Sequence, residues 1–360
     1  MAARLEKDAW RRRDPVERLR YLRAASREPG ARAARTRFRP RAFIAAVAAV
    51  LAASAPTGWS SRSPAPASAG EQPARAPAAV PQRVWLVEKT PEFELYSNGL
   101  RIERSLATAG ANRRPRWLAL TVAAAPPPDP AGIVFHASEN DPAPFEPEWS
   151  PVLKRQGAAL LEWVRRHALY HYLVDRFGRV HRVLEDTQRA AHAGHSVWAD
   201  SQWIYLDLNE SFLGVCFEAS TTDPERTGLS AAQIHSGRLL VEMLRAVHGV
   251  PPGNFVTHAQ VSVNPRNGRI GYHTDWADGF PFAELGLPDN YGQALAALRF
   301  FGFQADSGFL ARAGDRLRAA VEATRQELAE RARESGQPLE QLRGQLQQRY
   351  REAARAHHDI

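Results

Sequence analysis

Two histidines stand at the ends of short apolar runs, His136 after Ile133-Val134-Phe135 and His258 after Phe255-Val256-Thr257. Runs this short, rich in β-branched and aromatic residues, read as inner strands. Two inner strands of one sheet that each end in a histidine at the same edge bring two imidazoles together. Imidazole nitrogen suits zinc, and a third nitrogen or oxygen ligand leaves the fourth tetrahedral position free for water. Asp275, in His273-Thr274-Asp275-Trp276, is the candidate for that third ligand. The single cysteine, Cys216, excludes an internal disulfide framework and a multi-cysteine zinc site, so histidines and carboxylates must hold any metal. A histidine at a strand end is by itself more often structural, and the surrounding elements have to decide.

Strand-like and helix-like segments alternate between 129 and 290, the pattern of an α/β fold with a central mixed β-sheet flanked by helices. A helix is expected near residues 150–168, with further strands at Tyr170–Val174 and Leu213–Phe217. Ser230-Ala231-Ala232-Gln233 has capping-box spacing and opens a helix whose apolar stripe is Ile234, Leu240, Met243, Leu244 and Val247. Gly249 and Pro251 end it. Upstream, two alternating runs flank Asn98-Gly99, a pair suited to a tight hairpin turn, so residues 83–128 read as a small β extension. Residues 291–360 read as a helical appendage, with Gly336 and Pro338 dividing two helices.

The formal charge of +8 on 360 residues suggests an anionic partner until its position is examined. Residues 1–42 carry 14 Arg and Lys against 5 Asp and Glu, so the rest of the chain is close to neutral and nucleic acid is not an expected partner. Residues 42–55 follow this basic region (1–41) as an apolar run broken only by Ser54. It is short for a membrane span, which needs about 20 residues, but suits an export signal or an uncleaved anchor. Residues 56–82 hold six prolines among Ala, Ser and Gly and read as a linker. An exported chain in the periplasm or cell envelope, anchored to the inner membrane if the leader is retained, is the expectation.

Five pieces, in order, carry a family resemblance: Ile133-Val134-Phe135-His136-Ala137-Ser138; Tyr170-His171-Tyr172-Leu173-Val174 followed by Gly178; His192-Ala193-Gly194; Gly214-Val215-Cys216-Phe217-Glu218; and Thr257-His258 with His273-Thr274-Asp275. Over residues 131 to about 283 the chain resembles the type 2 N-acetylmuramoyl-L-alanine amidases, relatives of the peptidoglycan recognition proteins and phage amidase lysozymes. The resemblance implies Zn²⁺ held by His136, His258 and Asp275, and hydrolysis of the amide between N-acetylmuramic acid and L-alanine in peptidoglycan or a muropeptide. It makes Tyr170 and His273 candidates for stabilising the oxyanion or moving a proton, and places His192 and His195 in a loop that lines the substrate groove in relatives.

The chain departs from the pattern in three places. Cys216 stands where some amidases carry a catalytic glutamate; Glu218, two residues on and on the same strand face, is the candidate replacement. His273 stands where many relatives have lysine. A turn at Asn264-Pro265-Arg266-Asn267-Gly268 lengthens the stretch from His258 to Asp275, which leaves Asp278 as an alternative ligand. The departures keep two other readings open: a peptidoglycan-binding module without turnover, and a zinc peptidase acting on the stem peptide.

Overall fold

The computed structural model describes residues 83–121, 125–140, 143–222 and 228–355. The basic region, the apolar run 42–55 and the linker lie outside the described residues. Among those described, no helix is long and apolar enough to cross a membrane.

The first strands are β1 (Leu86–Lys89), β2 (Phe93–Tyr96), β3 (Arg101–Glu103), β4 (Trp117–Ala119) and β5 (Gly132–Ala137). Helix α1 (Ser150–His167) follows, then β6 (Tyr172–Val174), β7 (Val180–Arg182), β8 (Val197–Ala199), β9 (Trp203–Leu206) and β10 (Phe212–Phe217). Helix α2 (Ala231–His248), β11 (Phe255–Thr257) and the single-turn α3 (His258–Val261) lead to β12 (Val263–Asn264) and β13 (Arg269–Ile270). The chain ends in α4 (Ala296–Phe301), β14 (Gln304–Ala305), α5 (Ser307–Arg312), α6 (Asp315–Glu334) and α7 (Leu339–Arg355).

Eight strands form one sheet in the order β1-β2-β3-β7-β6-β10-β5-β11. β6, β10, β5 and β11 run parallel, while β7 pairs antiparallel with β6, so the sheet is mixed as the sequence pattern implies. The Asn98-Gly99 hairpin forms, with Gly99 at φ 87°, a value that glycine takes without a Cβ clash. Its second strand then pairs parallel with β7, so residues 86–103 continue the central sheet.

Alternation along β5 and β10 sorts side chains between two layers. Phe135, Val215 and Phe217 meet Leu240, Met243 and Leu244 of α2, whereas Cys216 and Leu173 meet Val164 of α1 on the opposite face. Helix α2 opens with the expected capping box, Ser230 accepting from the Gln233 amide, and ends at Gly249 in the left-handed conformation. Its buried residues are Gln233, Gly237, Leu240, Val241, Met243 and Leu244, while Val247 is exposed. Beyond residue 306 the described residues form three helices where two were expected. A break at Ala313-Gly314 separates α5 from α6, and α4, α6 and α7 pack together. Tyr170 and His171 precede β6 and are not part of it.

Candidate metal centre

His136 sits in β5, and in the parallel register it lies opposite Cys216 of β10. Thr257 of β11 lies opposite Phe135, so the next residue, His258, falls level with His136. There the strand turns into α3, capped by Thr257 and Gln260, and His258 is its first residue. Asp275 is tied to the same helix by its carbonyl, which accepts from the Ala259 amide at 3.2 Å. The buried Trp276 that follows adopts φ 55°, a left-handed conformation that is costly for a bulky residue and that turns the chain sharply just beyond the carboxylate.

These three elements bring His136, His258 and Asp275 together, with one donor atom of each within 4.8 Å of the others. His136 Nδ1 is 3.4 Å from Asp275 Oδ2, and His258 Nδ1 is 2.9 Å from Asp275 Oδ1. Tetrahedral zinc with bonds near 2.0–2.1 Å holds its donors about 3.3 Å apart, and an N, N, O set with a place left for water is the donor chemistry of catalytic zinc. The residues fit such an ion. Burial, then the facing His258, lowers the His136 imidazole to about 4, so it is neutral and has a lone pair to give. Burial opposes ionisation of Asp275, but the facing His258 outweighs it, and the carboxyl is held well below the usual carboxylate range. Asp278 is exposed, lies against Gly314 on an open cavity of about 550 Å³, and is outside the three-residue group.

Two of the other expected residues, Tyr170 and His273, border this cluster. The Tyr170 ring lies 5.1 Å from that of His136 and packs against the cluster of side chains that holds Cys216. Burial raises Tyr170 well above its usual value and does the same to Cys216, so both hold their protons at neutral pH. His273 is buried and stacks on His258 with ring centroids 4.5 Å apart. His195 is exposed in the neighbouring loop, its carbonyl accepting from the Val263 amide.

Two residues sit differently from expectation. Glu218 is buried, but its Oε2 accepts from the Arg176 amide at 3.0 Å and faces Gly157 of α1, so the carboxylate is turned to that helix and not into the three-residue group. Burial raises its carboxyl above the usual value. His192 does not line an open groove: it is 6 % exposed and packs behind His136, its Nδ1 3.1 Å from His136 Nε2. Glu139 escaped the sequence reading. It follows His136 by three residues at φ 51°, accepts from the Thr221 amide at 3.1 Å, and its charge helps to raise Tyr170 and Cys216. No spacing or periodicity marks it.

Residues 126–275 match the family described as N-acetylmuramoyl-L-alanine amidase. A comparison with curated proteins returned no match. Among solved structures the chain is similar to AMPDH3 from Pseudomonas aeruginosa, with 20 % identity and a TM-score of 0.34, over 46 % of this chain and 63 % of that one. It is similar to the amidase AmiD from E. coli, solved with anhydro-N-acetylmuramic acid-L-Ala-D-gamma-Glu-L-Lys, with 19 % identity and a TM-score of 0.34, over 55 % and 65 % of the two chains. For Drosophila peptidoglycan recognition protein SD the values are 15 %, 0.28, 45 % and 86 %. The chain thus spans just under two thirds of the first two structures. The segment that matches this family, residues 126–275, contains His136, His258 and Asp275.

Proposed function

We propose that this chain is a zinc-dependent amidase that cuts the bond between N-acetylmuramic acid and L-alanine in peptidoglycan or its fragments. The observation that carries the reading is the convergence of His136, His258 and Asp275 from three separate elements of a segment that matches the amidase family. Similar structures solved with muropeptide fragments accord with a substrate of that chemistry.

An amide is a poor electrophile. A zinc ion held by these three residues would supply Lewis acidity, lowering the pKa of water from about 15.7 towards 7 and polarising a carbonyl. Tyr170 keeps its proton and so is available to donate to oxygen as negative charge develops there. His273, stacked on His258, is assigned the proton for the departing nitrogen. Cys216 is no base, since burial holds its thiol protonated. If Glu218 takes the proton, its side chain must leave the Arg176 amide. Export, and anchoring through residues 42–55, belong to this proposal as the route by which the domain reaches the wall.

The test is release of free peptide from purified peptidoglycan, with and without a chelator. Release that stops on chelation and returns with zinc supports the reading; release indifferent to chelation, or none at all, refutes it. A second reading, binding without turnover, is favoured by one observation: the position opposite His136 holds a protonated thiol where some relatives have a carboxylate. That reading expects muropeptide binding and no product.

A further inference from the structure

A neutral imidazole carries one N–H and one lone pair, and only the lone pair can bind a metal. Which nitrogen of His136 faces the cluster as an acceptor is therefore a property of whatever holds the other. His136 Nε2 is 3.1 Å from His192 Nδ1, and His192 Nε2 is 3.2 Å from the carbonyl oxygen of Phe212. A carbonyl only accepts, so His192 Nε2 carries the hydrogen and donates it, leaving a lone pair on His192 Nδ1. That lone pair in turn accepts from His136 Nε2–H. The remaining His136 nitrogen, Nδ1, bears the lone pair, and it is the atom that faces Asp275 at 3.4 Å.

The surroundings hold His192 in this place. Asn209 Oδ1 accepts from the His192 and Ala193 amides at 2.9 and 2.7 Å, and Asn209 Nδ2 donates to Asp207 Oδ1 at 2.8 Å. The ring lies over Gly214 so closely that a Cβ there would come within 2.6 Å of His192 Cγ. On its far side is His171, whose Nδ1 accepts from the Gly214 amide and whose Nε2 donates to the Gln188 carbonyl.

We infer that His192 is a positioning residue: by accepting from His136 Nε2–H it fixes the tautomer in which Nδ1 of His136 is presented to the metal. The inference rests on the zinc reading above and concerns an interaction one step behind the ligands. Such partners typically alter metal affinity 10- to 100-fold when removed.

The experiment is zinc affinity of the full chain and its variants, measured by competition with a chromophoric chelator and so independent of turnover. His192→Asn keeps an acceptor oxygen near the place of Nδ1, His192→Gln keeps a donor near the place of Nε2, and His192→Leu keeps neither. The expected result is a dissociation constant about 10- to 100-fold weaker for Gln and Leu, with Asn recovering most of the loss. In the metal-free chain, the ¹⁵N shifts of His136 should report hydrogen on Nε2 in the wild type and move toward Nδ1 in His192→Gln, a change that a merely structural role for His192 would not produce. Wild-type affinity in the Gln variant, or equal losses in Asn and Gln, overturns the inference, and this pair decides the matter even where Leu fails to fold. A wild-type chain that takes up no zinc overturns the parent reading and this one together, whereas equal affinity in all folded variants overturns this one alone.

Discussion

Gly214→Ala is a single-methyl perturbation whose consequences can be worked from distances. The added Cβ would meet His192 Cγ at 2.6 Å, its Cβ at 2.9 Å and its Cδ2 at 3.0 Å. Carbon atoms rest about 3.5–4.0 Å apart, so the ring must retreat by about 1 Å. Gly214 itself cannot retreat, because β10 is paired on both sides by β5 and β6. A shift of that size takes the 3.1 Å contact between His136 and His192 past the limit of a hydrogen bond. Zinc affinity is then expected to fall about 10- to 100-fold, which is about 1.4–2.7 kcal/mol, and overpacking should cost the metal-free chain about 1–3 kcal/mol. Chelator competition reads the first quantity and urea denaturation of the metal-free protein the second. Gly157→Ala is the control: it lies within α1, its Cβ would meet only Glu218 oxygens at 3.7 and 3.9 Å, and it should gain about 0.5–1 kcal/mol with zinc affinity unchanged. A folded Gly214→Ala chain with wild-type zinc affinity would refute the reasoning.

Other expectations can be checked with the same protein. Tyr170→Phe should lower kcat by about 10²-fold with zinc retained, the scale of one lost oxyanion donor, and an undiminished rate removes the hydroxyl from the mechanism. His171 is lowered to about 4 by burial against an ordinary value near 6.5, so the unfolded chain binds a proton that the folded chain refuses. Folding stability should therefore fall as pH drops from about 6.5 to 4, by on the order of 3 kcal/mol from this residue, and a flat urea midpoint between pH 7 and 5 would contradict it. Below about pH 4 a second loss is expected, because Asp186 and Glu94 are held below the usual carboxylate range against the cost of burial, chiefly by the charge of Arg182. Asp186→Asn should remove part of that acid slope and destabilise the chain at neutral pH by less than the about 3–5 kcal/mol of an uncompensated buried charge, since Arg182 keeps its pairing with Glu94.

Local signals made much of the scaffold legible. Ile133-Val134-Phe135 and Phe255-Val256-Thr257 form the strands that carry His136 and His258, and the Asn98-Gly99 turn and the Ser230 capping box form as their chemistry dictates. What stayed hidden depends on distant pairing. Nothing within residues 101–103 shows that β3 joins β7, because parallel partners leave no mark on local periodicity. Arg182 and Glu94 look like solvent-facing charges in short alternating strands, yet they are buried against each other with Arg182 Nη2 2.8 Å from Glu94 Oε2. His192 sits in a Gly-containing loop that suggests exposure. Its burial comes from Gly214, twenty-two positions on, which leaves room for the ring beneath His136. Glu218 shares a strand face with Cys216, but a backbone amide of the turn after β6 claims its carboxylate, and no strand alternation reveals that.

The most direct measurement is the zinc stoichiometry of the purified full chain by metal analysis and calorimetric titration, set beside His136→Ala, His258→Ala and Asp275→Ala. The account predicts one zinc per wild-type chain, with affinity lost in each ligand variant and unchanged in Asp278→Ala. A wild-type chain without zinc, or an Asp275→Ala chain that binds it as tightly as wild type, would contradict it.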